Sequence, residues 1–135
     1  MKIAHIAALL LLATAMPAAG HPQGDQPPAA APYLRLDTTL LDLGEIELDS
    51  IGSGEIRFQN TGDKPLVIHR IFTDCGCTVP SFSTKPVAPG EYGTISVRFK
   101  TRGRPPGYFR KSLRVKSNAS NSRAVFNVKG KVVKK

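Results

Sequence analysis

Two cysteines stand one residue apart in "TDCGCTVP", Thr73 to Pro80, and the chain has no others. This spacing admits four kinds of chemistry. The first is a Cys75–Cys77 disulfide, favoured in an oxidising compartment. Its ring encloses a single intervening residue, so loop closure contributes only about 1–2 kcal/mol, and ring strain could offset that. Such a bond is a poor staple and an easily reduced one, which makes thiol redox the second reading. Gly76 suits either, because glycine admits backbone angles that other residues avoid. The third is Cu(I) held by two thiolates, since soft sulfur ligands suit that ion. The fourth is a packed turn in which the thiols behave as small hydrophobes. Zinc fits poorly, because a structural site takes four ligands and only Asp74 and His69 stand nearby. Asp74, next in the chain, disfavours a thiolate at Cys75 unless cations from elsewhere intervene.

Other reaction centres are absent from the sequence. It contains no G-x-S-x-G, no H-E-x-x-H and no phosphate-binding P-loop, and no C-x-x-C pair. His69 is the one histidine beyond residue 32, and Gly52-Ser53-Gly54 reads as a turn before a strand. Hydrolase chemistry therefore has no support, and the expectation is a non-enzymatic protein.

These residues need a scaffold. "MKIAHIAALLLLATAM" has a positive start and an apolar run too short to span a bilayer, so residues 1–20 read as a secretory signal. Residues 21–32 are rich in Pro and Ala and carry no large apolar side chain before Tyr33, which predicts a flexible tether. The remainder, 33–135, is the size of one domain. Its apolar residues alternate: Ile95, Val97 and Phe99; Phe109, Leu113 and Val115; Phe126 and Val128; Ile56 and Phe58. Alternation with period two marks half-buried strands. Strands are predicted near 33–36, 41–47, 53–60, 65–73, 77–82, 93–100, 107–117 and 123–133, the first two as one broken edge strand. In "LVIHRIF" both Ile68 and Ile71 are apolar, a change of phase that predicts a bulge. Gly-, Pro-, Asn- and Ser-rich turns separate the runs. No segment has a helical period, so the expected fold is all-β: an Ig-like antiparallel β-sandwich of about seven strands.

The segments "LDLGEI", "FQNTGDKPLVIHRI", "CGCTVP", "PGEYGTISVRF", "GYFRKSLRVKSN" and "VKGKV" follow one another in this order. In this combination the chain resembles an uncharacterised bacterial family of exported proteins, a domain of unknown function with a CGCT motif. It is also similar to the Ig-like ASH, MSP and hydin domains, in which the "NTG..PL.I" segment recurs. The resemblance implies the Ig-like sandwich and no established activity. A second resemblance is to the Ig-like copper-assembly proteins of cytochrome c oxidase, which present a C-x-C pair ahead of a proline–acid turn. Here Cys75 and Cys77 stand for the pair and Pro89-Gly90-Glu91 for the turn. Glycine replaces the aromatic between those cysteines, and the spacing to the turn is longer.

Charge is distributed unevenly. Residues 1–91 hold six Lys and Arg and ten acids, while residues 92–135 hold thirteen Lys and Arg and no acid. In an Ig-like sheet, Arg110, Arg114 and Lys116 would lie beside Lys129, with Arg102 and Arg104 on the loop before them. Such a face attracts an acidic protein or an anionic envelope component. Export argues against nucleic acid as the partner, and one short apolar run argues against a membrane-spanning chain. The sequence thus predicts a periplasmic or secreted binding or scaffold module without a cofactor. The alternative is copper handling or thiol redox at Cys75 and Cys77.

Overall fold

The computed structural model describes residues 30–134. The expected signal, 1–20, and residues 21–29 of the expected tether lie outside the described residues. Eight strands follow: β1 (Leu34–Leu36), β2 (Leu40–Glu47), β3 (Ile51–Asn60), β4 (Ile68–Thr73), β5 (Thr78–Phe82), β6 (Tyr92–Lys100), β7 (Gly107–Ser117) and β8 (Ala124–Val133). They form two four-stranded sheets, ordered β1-β3-β6-β5 and β2-β8-β7-β4. The fold is an all-β sandwich, and the described residues contain no helix.

Alternation dictates what lies between the sheets. Ile56 and Phe58 of β3 and Ile95, Val97 and Phe99 of β6 are buried, as are Leu113 and Val115 of β7 and Phe126 and Val128 of β8. Each such side chain contributes about 1.5–3 kcal/mol on leaving water. Phe99 and Phe109 join the two sheets near one end, their rings stacked with centroids 3.8 Å apart. Gly130 lies beneath that ring, where a Cβ would stand 2.6 Å from Phe109.

The first two strands depart from the expected broken edge strand. They belong to different sheets, because the chain crosses from one layer to the other after Leu36. β2 then pairs with β8 in parallel, whereas the other five strand pairs are antiparallel. Alternation specifies which side of a strand is buried and leaves its partner open. Gly52 and Gly54, expected in a turn, lie inside β3. Ile46 and Leu43 of β2 occupy the space that side chains there would need. The bulge expected in "LVIHRIF" is present as a register shift between Ile68 and Arg70.

Asn60, fully buried at the end of β3, organises the turn that follows. Its Nδ2 donates to Lys64 O at 2.7 Å and Val87 O at 2.9 Å, and its Oδ1 accepts from Gly62 N at 3.0 Å and Tyr33 N at 3.3 Å. Every hydrogen-bonding site of the amide is therefore used, as burial of a polar group requires. Gly62 lets the incoming chain pass close by, since a Cβ would stand 2.5 Å from Tyr33 N. Ala31 O accepts from Asp63 N and Pro32 O from Ser120 N, so main-chain pairing with the domain begins inside the segment read as tether.

Candidate functional site

β4 ends at one edge of its sheet and β5 begins at an edge of the other. The four residues between them, Asp74 to Cys77, form the crossing. Cys75 O is its anchor, accepting from Thr73 Oγ1 at 2.9 Å and Thr78 N at 3.1 Å. Cys77 O accepts from Lys100 N at 2.8 Å, which ties the crossing to the end of β6. A disulfide joins Cys75 to Cys77, with their Cα atoms 5.2 Å apart.

The two sulfurs have different surroundings. Cys75 Sγ accepts from Cys77 N at 3.2 Å and from the Arg104 guanidinium Nη2. Cys77 packs against the small apolar cluster of Ile46, Phe99 and Val132, and its sulfur lies 3.8 Å from Thr78 Oγ1. Both cysteines are half-buried, and Gly76 between them is exposed. Gly76 is not left-handed, and a Cβ there would meet nothing within 4 Å. Glycine's left-handed freedom is therefore not used at this position.

Arg104 reaches Cys75 because its loop is tightly held. Thr101 is fully buried; its Oγ1 lies 2.7 Å from Glu47 O and accepts from Ser50 N at 2.8 Å. Arg104 N donates back to Thr101 O at 2.9 Å, and Gly103 at φ +77 supplies the positive angle that a type II turn requires. Arg104, expected on the docking loop, is instead half-buried against the disulfide, whereas Arg102 is exposed.

The remaining cations assemble on the outer face of the second sheet. Arg110 pairs with Lys129 and Tyr108 with Lys131, while Arg114 and Lys116 face β4. There the bulge adds residues that alternation alone had missed. Arg70 pairs with Lys116 and Phe72 with Arg114, and His69 and Arg70 are both exposed. Arg70 and Arg114 flank Phe72, with guanidinium carbons 4.9 and 5.7 Å from the ring centre. A groove of about 610 Å³ runs beside them, lined by Phe72, Arg114, Lys116, Ser122 and Arg123. At the β2 edge the charge is mixed: Asp42 lies 3.8 Å from Lys129 in an exposed pair.

Among the described residues no three His, Cys, Asp or Glu side chains gather as a metal site would need. The cysteines, joined, present no thiolate to a soft cation. Once reduced, they would present two, beside a guanidinium that repels a second positive charge.

Residues 34–132 match the sequence profile described as "Protein of unknown function (DUF1573)". The chain belongs to the DUF1573 family. No match was found among curated proteins. The DUF1573 domain is similar in structure to a protein of unknown function from Porphyromonas gingivalis W83, at 16% identity and a TM-score of 0.61, over 80% of this chain and 49% of that one. The chain thus spans about half of that protein's length. It is also similar to the ASH/PapD-like domain 7 of human CEP192, at 9% identity and a TM-score of 0.66, over 89% of this chain and 99% of that domain. The periplasmic chaperone SfaE matches at 13% identity and a TM-score of 0.50, over 76% of this chain and 57% of that one. At these identities the likeness shows a shared Ig-like, PapD-like fold. No described helix is long and apolar enough to cross a membrane.

Proposed function

We propose that the domain is an exported, non-enzymatic binding or scaffold module that docks an acidic protein of the cell envelope on the outer face of β4, β7 and β8. One observation carries this reading. Those three adjacent strands contain no Asp or Glu, yet their register sets Arg70 beside Lys116 and Arg110 beside Lys129. Like charges directly opposite each other on a sheet destabilise it, by up to about 1 kcal/mol per pair. Asp42 offsets Lys129 at the β2 edge, but folding alone does not favour Arg70 beside Lys116, whereas an anionic partner would neutralise them. Phe72 and Tyr108 add aromatic surface of the kind enriched in interfaces. The periplasmic chaperone among the structural neighbours is consistent with a binding role in that compartment.

The test is the triple variant Arg110→Glu, Arg114→Glu and Lys129→Glu, used as bait in a periplasmic extract beside the native domain. All three side chains are exposed, so the variant should keep its circular dichroism spectrum. Loss of the captured acidic protein supports the reading, and capture at the native level overturns it.

A further inference from the structure

The disulfide's two sulfurs are unequal in a way that packing does not require. Among the described residues, Cys75 Sγ receives the Arg104 guanidinium and the Cys77 N–H, while Cys77 Sγ has only the Thr78 hydroxyl at 3.8 Å. A sulfur in a disulfide is a weak, uncharged acceptor. A cationic donor and a main-chain donor on the same sulfur are better matched to the charged form, the thiolate. That form arises at Cys75 when the bond opens. Asp74 is exposed beside it and acts in the opposite sense, but Arg104 is the group in contact. The turn that delivers Arg104 is anchored by buried Thr101 and closed by the Arg104 N–H bond to Thr101 O. The cation is thus held at the sulfur by the fold.

We propose that Cys75–Cys77 is a directional thiol–disulfide exchange site that takes an extracytoplasmic dithiol as its reductant. A thiolate of the dithiol attacks Cys77 Sγ, forming a mixed disulfide. The Cys75–Cys77 bond breaks, and its electron pair leaves on Cys75 as a thiolate against Arg104. The dithiol's second thiolate then attacks its own sulfur in the mixed disulfide and expels Cys77. Two electrons pass from the dithiol to the pair. The dithiol becomes a disulfide; one of its two protons is taken up at Cys77, and the other goes to solvent while Cys75 stays a thiolate. Leaving-group quality controls the rate of such exchange, and the stabilised sulfur leaves faster. Gly76 is exposed and places no side chain across the bond. The site uses none of the residues reversed in the docking test, and its own test does not depend on the docking reading.

The bias can be read directly. The oxidised chain is treated briefly with a monothiol, 2-mercaptoethanol, then quenched with N-ethylmaleimide and mapped by peptide fragmentation. The expected product carries mercaptoethanol on Cys77 and maleimide on Cys75, in several-fold excess over the reverse. Equal labelling, or the reverse pattern, overturns the proposal. With dithiothreitol, Arg104→Gln should slow reduction about three- to tenfold, and Arg104→Lys should restore much of the rate. Unchanged kinetics in Arg104→Gln would also overturn it. The labelling pattern is measured on the native chain, so the proposal stays testable even where a variant folds poorly.

Discussion

Asn121 holds Leu34 as a neighbouring strand would: its Nδ2 donates to Leu34 O at 2.6 Å and its Oδ1 accepts from Leu34 N at 2.9 Å. One side-chain amide thereby satisfies both main-chain groups of a residue 87 positions earlier. β1 has only β3 as a strand partner, so its open side depends on this contact. Asn121→Ala removes both bonds and leaves Leu34 main-chain groups unpaired. A loss of about 1–3 kcal/mol is expected, measured as a lower urea midpoint with an unchanged slope.

Glycines in this domain separate into two groups by what surrounds them. A Cβ at Gly93 would stand 2.3 Å from the Phe58 ring, while one at Gly76 would meet nothing. Gly93→Ala should cost about 1–3 kcal/mol through overpacking. Gly76→Ala should fall within about 0.5 kcal/mol of native, as surface changes generally do. Paired thermal melts in oxidising buffer distinguish them, and a destabilised Gly76→Ala would contradict the geometry described for the crossing.

Asn60→Asp tests the buried amide. The replacement loses the donors to Lys64 O and Val87 O and sets an acceptor against two carbonyls. Burial and facing carbonyls disfavour the carboxylate, so the folded form would retain its proton to higher pH than the unfolded form. The folded state then binds more protons, and stability falls as pH rises. The deficit relative to native should therefore widen between about pH 4 and pH 7. Urea titrations at the two ends of that range measure it; a deficit independent of pH would mean that the carboxyl has found water.

Arg70 offers a test of the bulge. Its register position beside Lys116 places it on the cationic face. Arg70→Glu should lower the salt needed to elute the domain from heparin about as much as Lys129→Glu does. The native domain and both variants should alike fail to bind heparin at high ionic strength, where screening removes the attraction.

Strand positions were legible because burial in a sandwich leaves a period-two record. Ile95, Val97 and Phe99 carry it without interruption, and all three are buried. The bulge at Ile68 was legible for the same reason, as a break in that record. Pairing was less so. Nothing in "LLDLGEIE" shows that its partner is β8, or that the two run parallel, because pairing depends on residues some 87 positions away. Its neighbours in the chain place Arg104 on a docking loop. Its contact with Cys75 spans 29 positions and depends on how Thr101 and Gly103 fold the loop. Local pattern encodes faces, and such a contact exists only once the two sheets have closed.

β8 is the last of the described strands and lies between β2 and β7 in its sheet. That placement governs timing. Until Ala124–Val133 is in place, β2 has no sheet to join, β7 lacks one of its two neighbours, and Phe126 and Val128 are missing from the core. The sheet of β1, β3, β6 and β5 can pair without β8, but the second layer, and with it the closed sandwich, waits for that strand.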